Sequence, residues 1–352
     1  MTSINCVCCA TFLLFALFSP PTRALKFSCN NITCMLENLD LDEAYSFAFA
    51  YFNNTTYQLT AVQVKGDIFD LTTLPNLSNL RVFVLDQSQL NSVILRLTME
   101  KSTVCITNTP LKTLIFHESR NLEDVRIDRS LLETIPETLF MQESLETLFI
   151  TNSLLAVIDF HLFETLVNLR YVDFSCNKIH IIHIPTTSTC CRRLIALDLQ
   201  QNRLENFNFG LLAHMNCLDN LTLRRNRILK VEQIESSKPK SSPYLPQFCT
   251  MDTQGLALIQ GFQEPTSSSR YASLTTIDLD SNRLREVNLS MFSNMPNLVH
   301  LTLSRNVLTS ITVHDGQLPT RLEVLELSFN RLANADFSPI LGVKMVNVGG
   351  NQ

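Results

Sequence analysis

The sequence predicts an α/β solenoid, on three observations. The stretch from Leu169 to Ile228 reads LRYVDFSCNKI, LIALDLQQNRL and LDNLTLRRNRI, with copies starting at Leu169, Leu194 and Leu218. These starts lie 25 and 24 residues apart, and a fixed period of that size marks stacked supersecondary units. Each copy keeps apolar residues at its first, fourth, sixth and eleventh positions and an asparagine at its ninth. Within a copy, a run such as Val172-Asp173-Phe174 alternates as a half-buried strand does.

That pattern is the leucine-rich repeat. It implies a horseshoe with a parallel sheet on the concave face and irregular or short helical segments on the convex side. Regular copies recur at Leu274, Leu298 and Leu322, with Asn282, Asn306 and Asn330 in place, and Val343, Val346, Val348 and Asn351 begin another. Upstream, copies are expected at Leu59, Leu80, Lys101, Leu122 and Leu145, where the ninth position holds Asp67, Ser88, Thr109, Ser130 and Ser153. A short polar side chain at that place can bond the backbone groups left over as the chain turns off its strand. Asparagine does so best, because it both donates and accepts. Phe140, Phe163 and Phe292 fall in the crossing segments, where they would fill the wide outer core.

Residues 1–24 read as a signal peptide. The apolar run from Cys6 to Phe18 is too short to span a bilayer, and Thr22 and Ala24 fit a small-residue cleavage site. Residues 25–56 form an N-terminal cap and 57–352 a repeat domain of about twelve units, interrupted by an insertion at about 232–270. The insertion carries the linker compositions SSKPKSSPYLPQ and EPTSSS. Between these, Gly255 to Phe262 is either a worn repeat with Gly261 at the asparagine position or part of an excursion loop. No C-terminal cap follows Val343, so the sequence is a fragment or its end is covered by a partner.

Of 11 cysteines, cleavage removes Cys6, Cys8 and Cys9 and leaves an even number, as suits an oxidising compartment. Disulfides are expected between Cys29 and Cys34, and between Cys217 and either Cys190 or Cys191. Cys249 would then pair with Cys176 or with the remaining vicinal cysteine, and Cys105 is expected to face outward. Glycosylation sequons start at Asn31, Asn53, Asn54, Asn76, Asn220 and Asn288. Together these features predict a secreted, extracellular glycoprotein with no membrane span within this chain. A net charge of −5 without a basic patch argues against nucleic acid or an anionic membrane as partner.

No nucleophile elbow, phosphate loop or convergent acid–base set is present, so neither enzymatic activity nor a cofactor is expected. Cys176, His180 and His183 are ligand-type residues at close spacing, but in an asparagine-anchored turn they read as surface or packing residues, not a metal site. The informative residues are the fifth positions, which line up down the concave face. They read Gln63, Val84, Cys105, Arg126, Phe149, Asp173, Asp198, Thr222, Asp278, Thr302, Glu326 and Asn347. With Arg225 and Arg305 beside this column, the candidate partner-binding residues are Arg126, Phe149, Asp173, Asp198, Thr222, Arg225, Asp278, Arg305 and Glu326. Docking is expected to centre on Asp173, Asp198, Thr222 and Arg225, in the most regular repeats.

These repeats resemble the extracellular leucine-rich repeats of Toll-like receptors. With the cap KFSCNNITC, the signal peptide and the aliphatic repeat style, the chain is similar to the mosquito leucine-rich-repeat immune proteins. The resemblance implies a secreted, disulfide-linked recognition or adaptor protein of innate immunity, working with complement-like thioester proteins. Its partner would be an extracellular protein or a pathogen-associated ligand, bound as a dimer or hetero-complex. Longer family members carry a cysteine-rich segment and a coiled coil after the repeats, and this sequence stops before either. The alternative is an ectodomain fragment of a leucine-rich-repeat receptor or adhesion protein.

Overall fold

The computed structural model describes residues 24–42, 52, 54–74, 77–117, 119–183, 190–233, 271–314, 317–333 and 336–351. Residues 1–23, Asn53, Asn76, Cys249 and the stretch from Gly255 to Phe262 lie outside that set.

The chain opens with an antiparallel hairpin of β1 (Lys26–Asn30) and β2 (Thr33–Glu37), bridged by the Cys29–Cys34 disulfide. From β2 onward every rung is parallel. The wide rungs are β3 (Gln58–Val62), β5 (Val82–Asp86), β7 (Ser102–Thr107), β9 (Leu122–Asp128) and β10 (Thr147–Thr151). Narrow rungs follow as β12 (Tyr171–Asp173), β14 (Ala196–Asp198), β16 (Asn220–Thr222) and β18 (Thr276–Asp278). The last are β20 (His300–Thr302), β22 (Val324–Glu326) and β23 (Met345–Asn347), so the described residues form one sheet of 14 strands. Fourth and sixth positions such as Leu197 and Leu199 point inward and are buried, each worth roughly 1.5–3 kcal/mol of burial.

The ninth-position asparagines explain why the later rungs are narrow. Asn202 Nδ2 donates to Phe174 O of the preceding repeat at 2.8 Å and to Leu199 O of its own at 3.1 Å. Its Oδ1 accepts from Ile179 N at 3.0 Å. One side chain thus takes up groups on two rungs, and Asn177, Asn226, Asn282, Asn306 and Asn330 do the same. A serine or threonine reaches fewer groups. Ser88 Oγ accepts from Val64 N and donates to Asp86 O, both at 3.0 Å. In those repeats the strand pairing itself runs on through the sixth and seventh positions, as in Ile127 with Ile150 and Asp128 with Thr151.

The residue before the ladder turns the chain, and it is left-handed in each described repeat: Gln63, Gln87, Asn108, Arg129, Asn152, Cys176, Gln201, Arg225, Ser281, Arg305 and Phe329 all have positive φ. Such a conformation costs a non-glycine residue roughly 1–2 kcal/mol, which the ladder bonds next to it offset.

The convex side is built from short strands and 3₁₀ turns; among the described residues it holds no α-helix. The strands pair in groups: β4 (Ile68–Asp70) with β6 (Ser92–Leu95) and β8 (Thr113–Phe116), then β11 (Val157–Asp159) with β13 (Ile181–His183). Two further pairs follow, β15 (Asn206–Asn208) with β17 (Lys230–Glu232) and β19 (Glu286–Asn288) with β21 (Ser310–Thr312). Where a 3₁₀ turn follows, the last strand residue caps it. Asp70, Asp159, Asn208 and Asn288 each accept from the backbone N–H two residues on, at 2.8–3.0 Å. Behind them runs a phenylalanine spine, including Phe160–Phe163 at 5.1 Å and Phe209–Phe292 at 5.5 Å between ring centres.

The expected register changes at three places. The rung of β3 places Thr60, not Gln63, in the column with Val84, so its first position is the buried Thr56, and Val64, not Asp67, occupies the ninth. Ser102, not Lys101, fills the inward first position of the next short repeat, facing Leu122 ahead of a one-residue bulge. Within the cap, β2 is itself a rung, with Cys34 and Leu36 buried in line with Leu59 and Ala61.

Across the insertion, β16 pairs directly with β18, Asn282 Nδ2 donates to Leu223 O at 3.0 Å, and Ser273 Oγ donates to Asn216 O at 2.6 Å. The repeats on either side stack as immediate neighbours, with no intervening rung.

Asn202→Ala should lower stability by about 1–3 kcal/mol, because buried partners lose their bonds. Asn206→Ala, on the exposed start of β15, should stay within about 0.5 kcal/mol. Equal thermal shifts for the two variants would refute the ladder assignment. Gln201→Val forces a β-branched side chain into the left-handed region and should cost about 1–2 kcal/mol. Gln201→Asn should be close to neutral in the same denaturation series.

Candidate binding face

Strand register brings the expected residues together. Arg126, Phe149, Asp173, Asp198, Thr222, Asp278, Thr302 and Glu326 stand side by side, one per rung. Adjacent parallel strands lie about 4.8 Å apart, so these side chains form one continuous half-buried stripe. Arg225 and Arg305 are not on it. Each is exposed at the left-handed turn, three residues beyond the end of its strand.

The acids in the column have a local task. The carboxylates of Asp173, Asp198 and Asp278 accept from the backbone N–H of Ser175, Gln200 and Asp280, each at 2.8 Å. Asn347 Oδ1 does the same for Gly349 at 3.1 Å. Burial pushes the Asp198 carboxyl up to about 6; the Gln200 N–H pulls it down, and neighbouring Asp173 and Asp278 add repulsion. Burial also raises Asp278, with the Asp280 N–H and Arg224 acting against it. Thr222 stands between Asp198 and Asp278 and separates the acids.

Behind Asp278, the buried Asp280 gathers two arginines. Arg305 Nη1 lies 3.4 Å from its Oδ1. Arg224 Nε lies 2.8 Å from its Oδ2, an ion contact not aligned as a hydrogen bond. Arg305 also covers the Phe329 ring at 5.4 Å.

The amino-terminal half differs in chemistry. Arg126 Nε is held by Asp124 at 2.9 Å and its guanidinium lies 5.2 Å from the centre of the Phe149 ring, a cation–π contact. Tyr171, on the same sheet face two residues from Asp173 and one rung from Phe149, is 39% exposed. Sequence reasoning missed Tyr171 because it occupies the third position, while attention lay on the fifth. The outward alternation of the strand was the available signal.

The cysteines depart from expectation. Cys217 is disulfide-bonded, but Cys176, Cys190 and Cys191 carry thiols, so the partner of Cys217 is neither vicinal cysteine, and Cys176 and the vicinal pair are not joined to Cys249. Cys190 and Cys191 are buried in the core, where burial and mutual contact raise the Cys191 thiol well above its ordinary range. Burial also raises the Cys176 thiol, whose Sγ donates to Gln201 Oε1 at 3.1 Å. Raised thiols are poor nucleophiles. Cys105 lies in the column but is only 2% exposed, between Val84 and Arg126, so it does not present a thiol outward.

Among the described residues, no group of three or more His, Cys, Asp or Glu could hold a metal ion. His180 instead lines a convex cavity of about 150 Å³ with Ile182, Asn206, Asn208 and Glu232, and no described helix is long and apolar enough to cross a membrane.

This ladder and sheet define the class: the chain is a leucine-rich-repeat protein. The leucine rich repeat family model matches residues 272–332. Tsukushi of Mus musculus is 29% identical over 199 residues, covering 54% of this chain and 52% of that protein. The chain therefore spans about half the length of the curated relatives it matches first. Among solved structures, the leucine-rich repeat domain of APL1B aligns with a TM-score of 0.58 at 19% identity, over 88% of this chain and 80% of that one. The Drosophila Toll–Spätzle complex aligns with a TM-score of 0.51 at 12% identity, over 94% of this chain and 45% of that one. At these identities the structural likeness is one of fold.

Asp198 has a pH-dependent consequence. Its carboxyl is raised from 3.8 to about 6 in the fold, so its contribution to stability is full below pH about 4 and is lost as pH rises through about 6. Asp198→Asn should keep the bond to Gln200, as Asn347 does for Gly349, and raise stability at pH 7 by about 1 kcal/mol after solvent screening. Denaturation of the two proteins from pH 4 to pH 7 should show the gap opening as pH rises, and a constant gap would refute the assignment.

Proposed function

We propose that this is a secreted recognition or adaptor protein of innate immunity that binds another extracellular protein through its concave face. The observation that carries this reading is the continuous sheet itself. It is a rigid platform that loses little entropy on docking, and it presents Arg126, Phe149 and Tyr171 together on adjacent rungs. Arginine and aromatic residues dominate the energetic centres of protein interfaces. The acids from Asp173 onward are partly committed to their own turns, so they add electrostatic selection more than anchoring. The fold likeness to Toll in its complex with Spätzle, a molecular hub in Drosophila development and innate immunity, supports the same direction. It equally favours the second reading, a receptor ectodomain, and the transcript beyond Gln352 separates the two: a coiled coil speaks for the first, an apolar run of about 20 residues for the second.

The test is a partner captured from the secreting tissue's fluid, identified, and titrated against two double variants of matched melting temperature. Replacing Arg126 with Glu and Phe149 with Ala should weaken binding at least about tenfold, or 1.4 kcal/mol. Replacing Asp198 with Lys and Arg225 with Glu should weaken it less and chiefly slow association. Full binding by both variants would remove the concave face as the site.

A further inference from the structure

The sequon at Asn220 lies in an unusual place. Asn220-Leu221-Thr222 is the whole of rung β16, in the middle of the concave sheet. Leu221 points into the core, while Asn220 is exposed on the concave face at the third position, the same column as Tyr171. Its neighbours on either side are small, Ala196 on β14 and Thr276 on β18. Its carboxamide makes a single exposed bond, from Nδ2 to Asp219 Oδ2 at 3.0 Å. The ladder asparagines are buried and spend both ends of the amide on backbone groups, so Asn220 serves no comparable structural purpose. The described sequon at Asn288 differs again, because its Oδ1 caps a 3₁₀ turn on the convex side.

We propose that Asn220 carries an N-linked glycan, and that this glycan stands on the concave sheet and screens its carboxyl-terminal half from a protein partner. The donor is a lipid-linked oligosaccharyl pyrophosphate. The amide nitrogen bonds to the sugar's C1 as the C1–O bond to pyrophosphate breaks, one amide proton is lost, and the lipid pyrophosphate leaves. The acceptor triplet is modified before β16 pairs, because in the finished sheet Leu221 is buried and Thr222 half-buried. Afterwards the sugar projects from an exposed atom and displaces only the bond to Asp219. A bulky hydrophilic chain rooted there covers Asp198, Thr222 and Asp278, which lie on its own rung or the adjacent ones. Phe149 and Arg126 lie three and four rungs away and stay open. The inference rests on the extracellular reading and names which half of the face that reading leaves available.

The test uses the full chain secreted from a eukaryotic cell line. Amidase release in heavy-oxygen water should mark residue 220 in most molecules by peptide mapping. Unmodified Asn220 in secreted protein whose Asn31 or Asn54 carries sugar would overturn the inference and leave the extracellular reading standing. Failure of secretion with no sugar at any sequon would overturn both. Screening is read separately, with Ala196→Cys labelled by a maleimide-linked polyethylene glycol. Labelling should be several-fold faster when the sequon is removed by Asn220→Gln, and equally so with Thr222→Val, which keeps Asn220 and the strand's β-branched residue. Equal labelling with and without the sequon would overturn the screen.

Discussion

Each rung of this solenoid has to leave its strand at the same point, or the next rung cannot stack in register. At that point the backbone turns through a left-handed residue, and N–H and C=O groups that the strand would have paired are carried into the core. Buried and unpaired, each would cost about 1–3 kcal/mol. The ninth-position side chain removes that penalty by bonding groups on two rungs at once, as Asn202 does with Phe174, Leu199 and Ile179. The ladder thus fixes the register, the strand width and the side of the sheet on which each outward residue stands. Where serine or threonine replaces asparagine, the sheet compensates by extending its own pairing, and the wide rungs from β5 to β10 are the result.

The concave face inherits its chemistry from the same requirement. An aspartate at the fifth position completes the turn by accepting from the residue two further on, so the acidic stripe is first a folding device. Burial makes it a poor place for charge, as the raised Asp198 shows. Arg126 is instead held by Asp124 and lies over the Phe149 ring. Tyr171 stands exposed beside them, so the amino-terminal half of the face is aromatic and cationic where the carboxyl-terminal half is acidic.

Much of this was legible in the sequence, and the failures have physical reasons. The concave column from Val84 to Asn347 follows from the spacing of the ladder residue, because one polar position in a buried turn admits few residue types. The first rung was ambiguous: Leu59, Ala61, Val62 and Val64 are all apolar, and only the buried Thr56 shows which phase is real. The convex strands left no trace, since three residues are too short for a period of two to register. Their caps Asp70, Asp159 and Asn208 were visible only as isolated polar residues, and Asn288 only as a sequon. The Cys29–Cys34 bridge was legible from its short spacing, but the pairing expected for Cys217 failed because adjacency along the stack says nothing of side-chain direction: Cys190 and Cys191 turn into the core as thiols. Asn220 was recognisable as a sequon, but its position on the concave sheet needed the rung register.

The grouping of the convex strands bears on how the horseshoe responds to load. On the concave side the rungs are hydrogen-bonded without interruption, so that surface resists stretching. On the convex side the described strands are stitched only within groups, with seams between β8 and β11, β13 and β15, and β17 and β19. Within a stitched group both sides hold the same spacing of about 4.8 Å, and the layers cannot splay. Bending therefore concentrates at the seams, one of which already opens into the cavity beside His180 and Asn206. Under a docked partner the protein would act as a few stiff blocks on a common inextensible strip, tightening or relaxing its grip by small rotations at fixed joints.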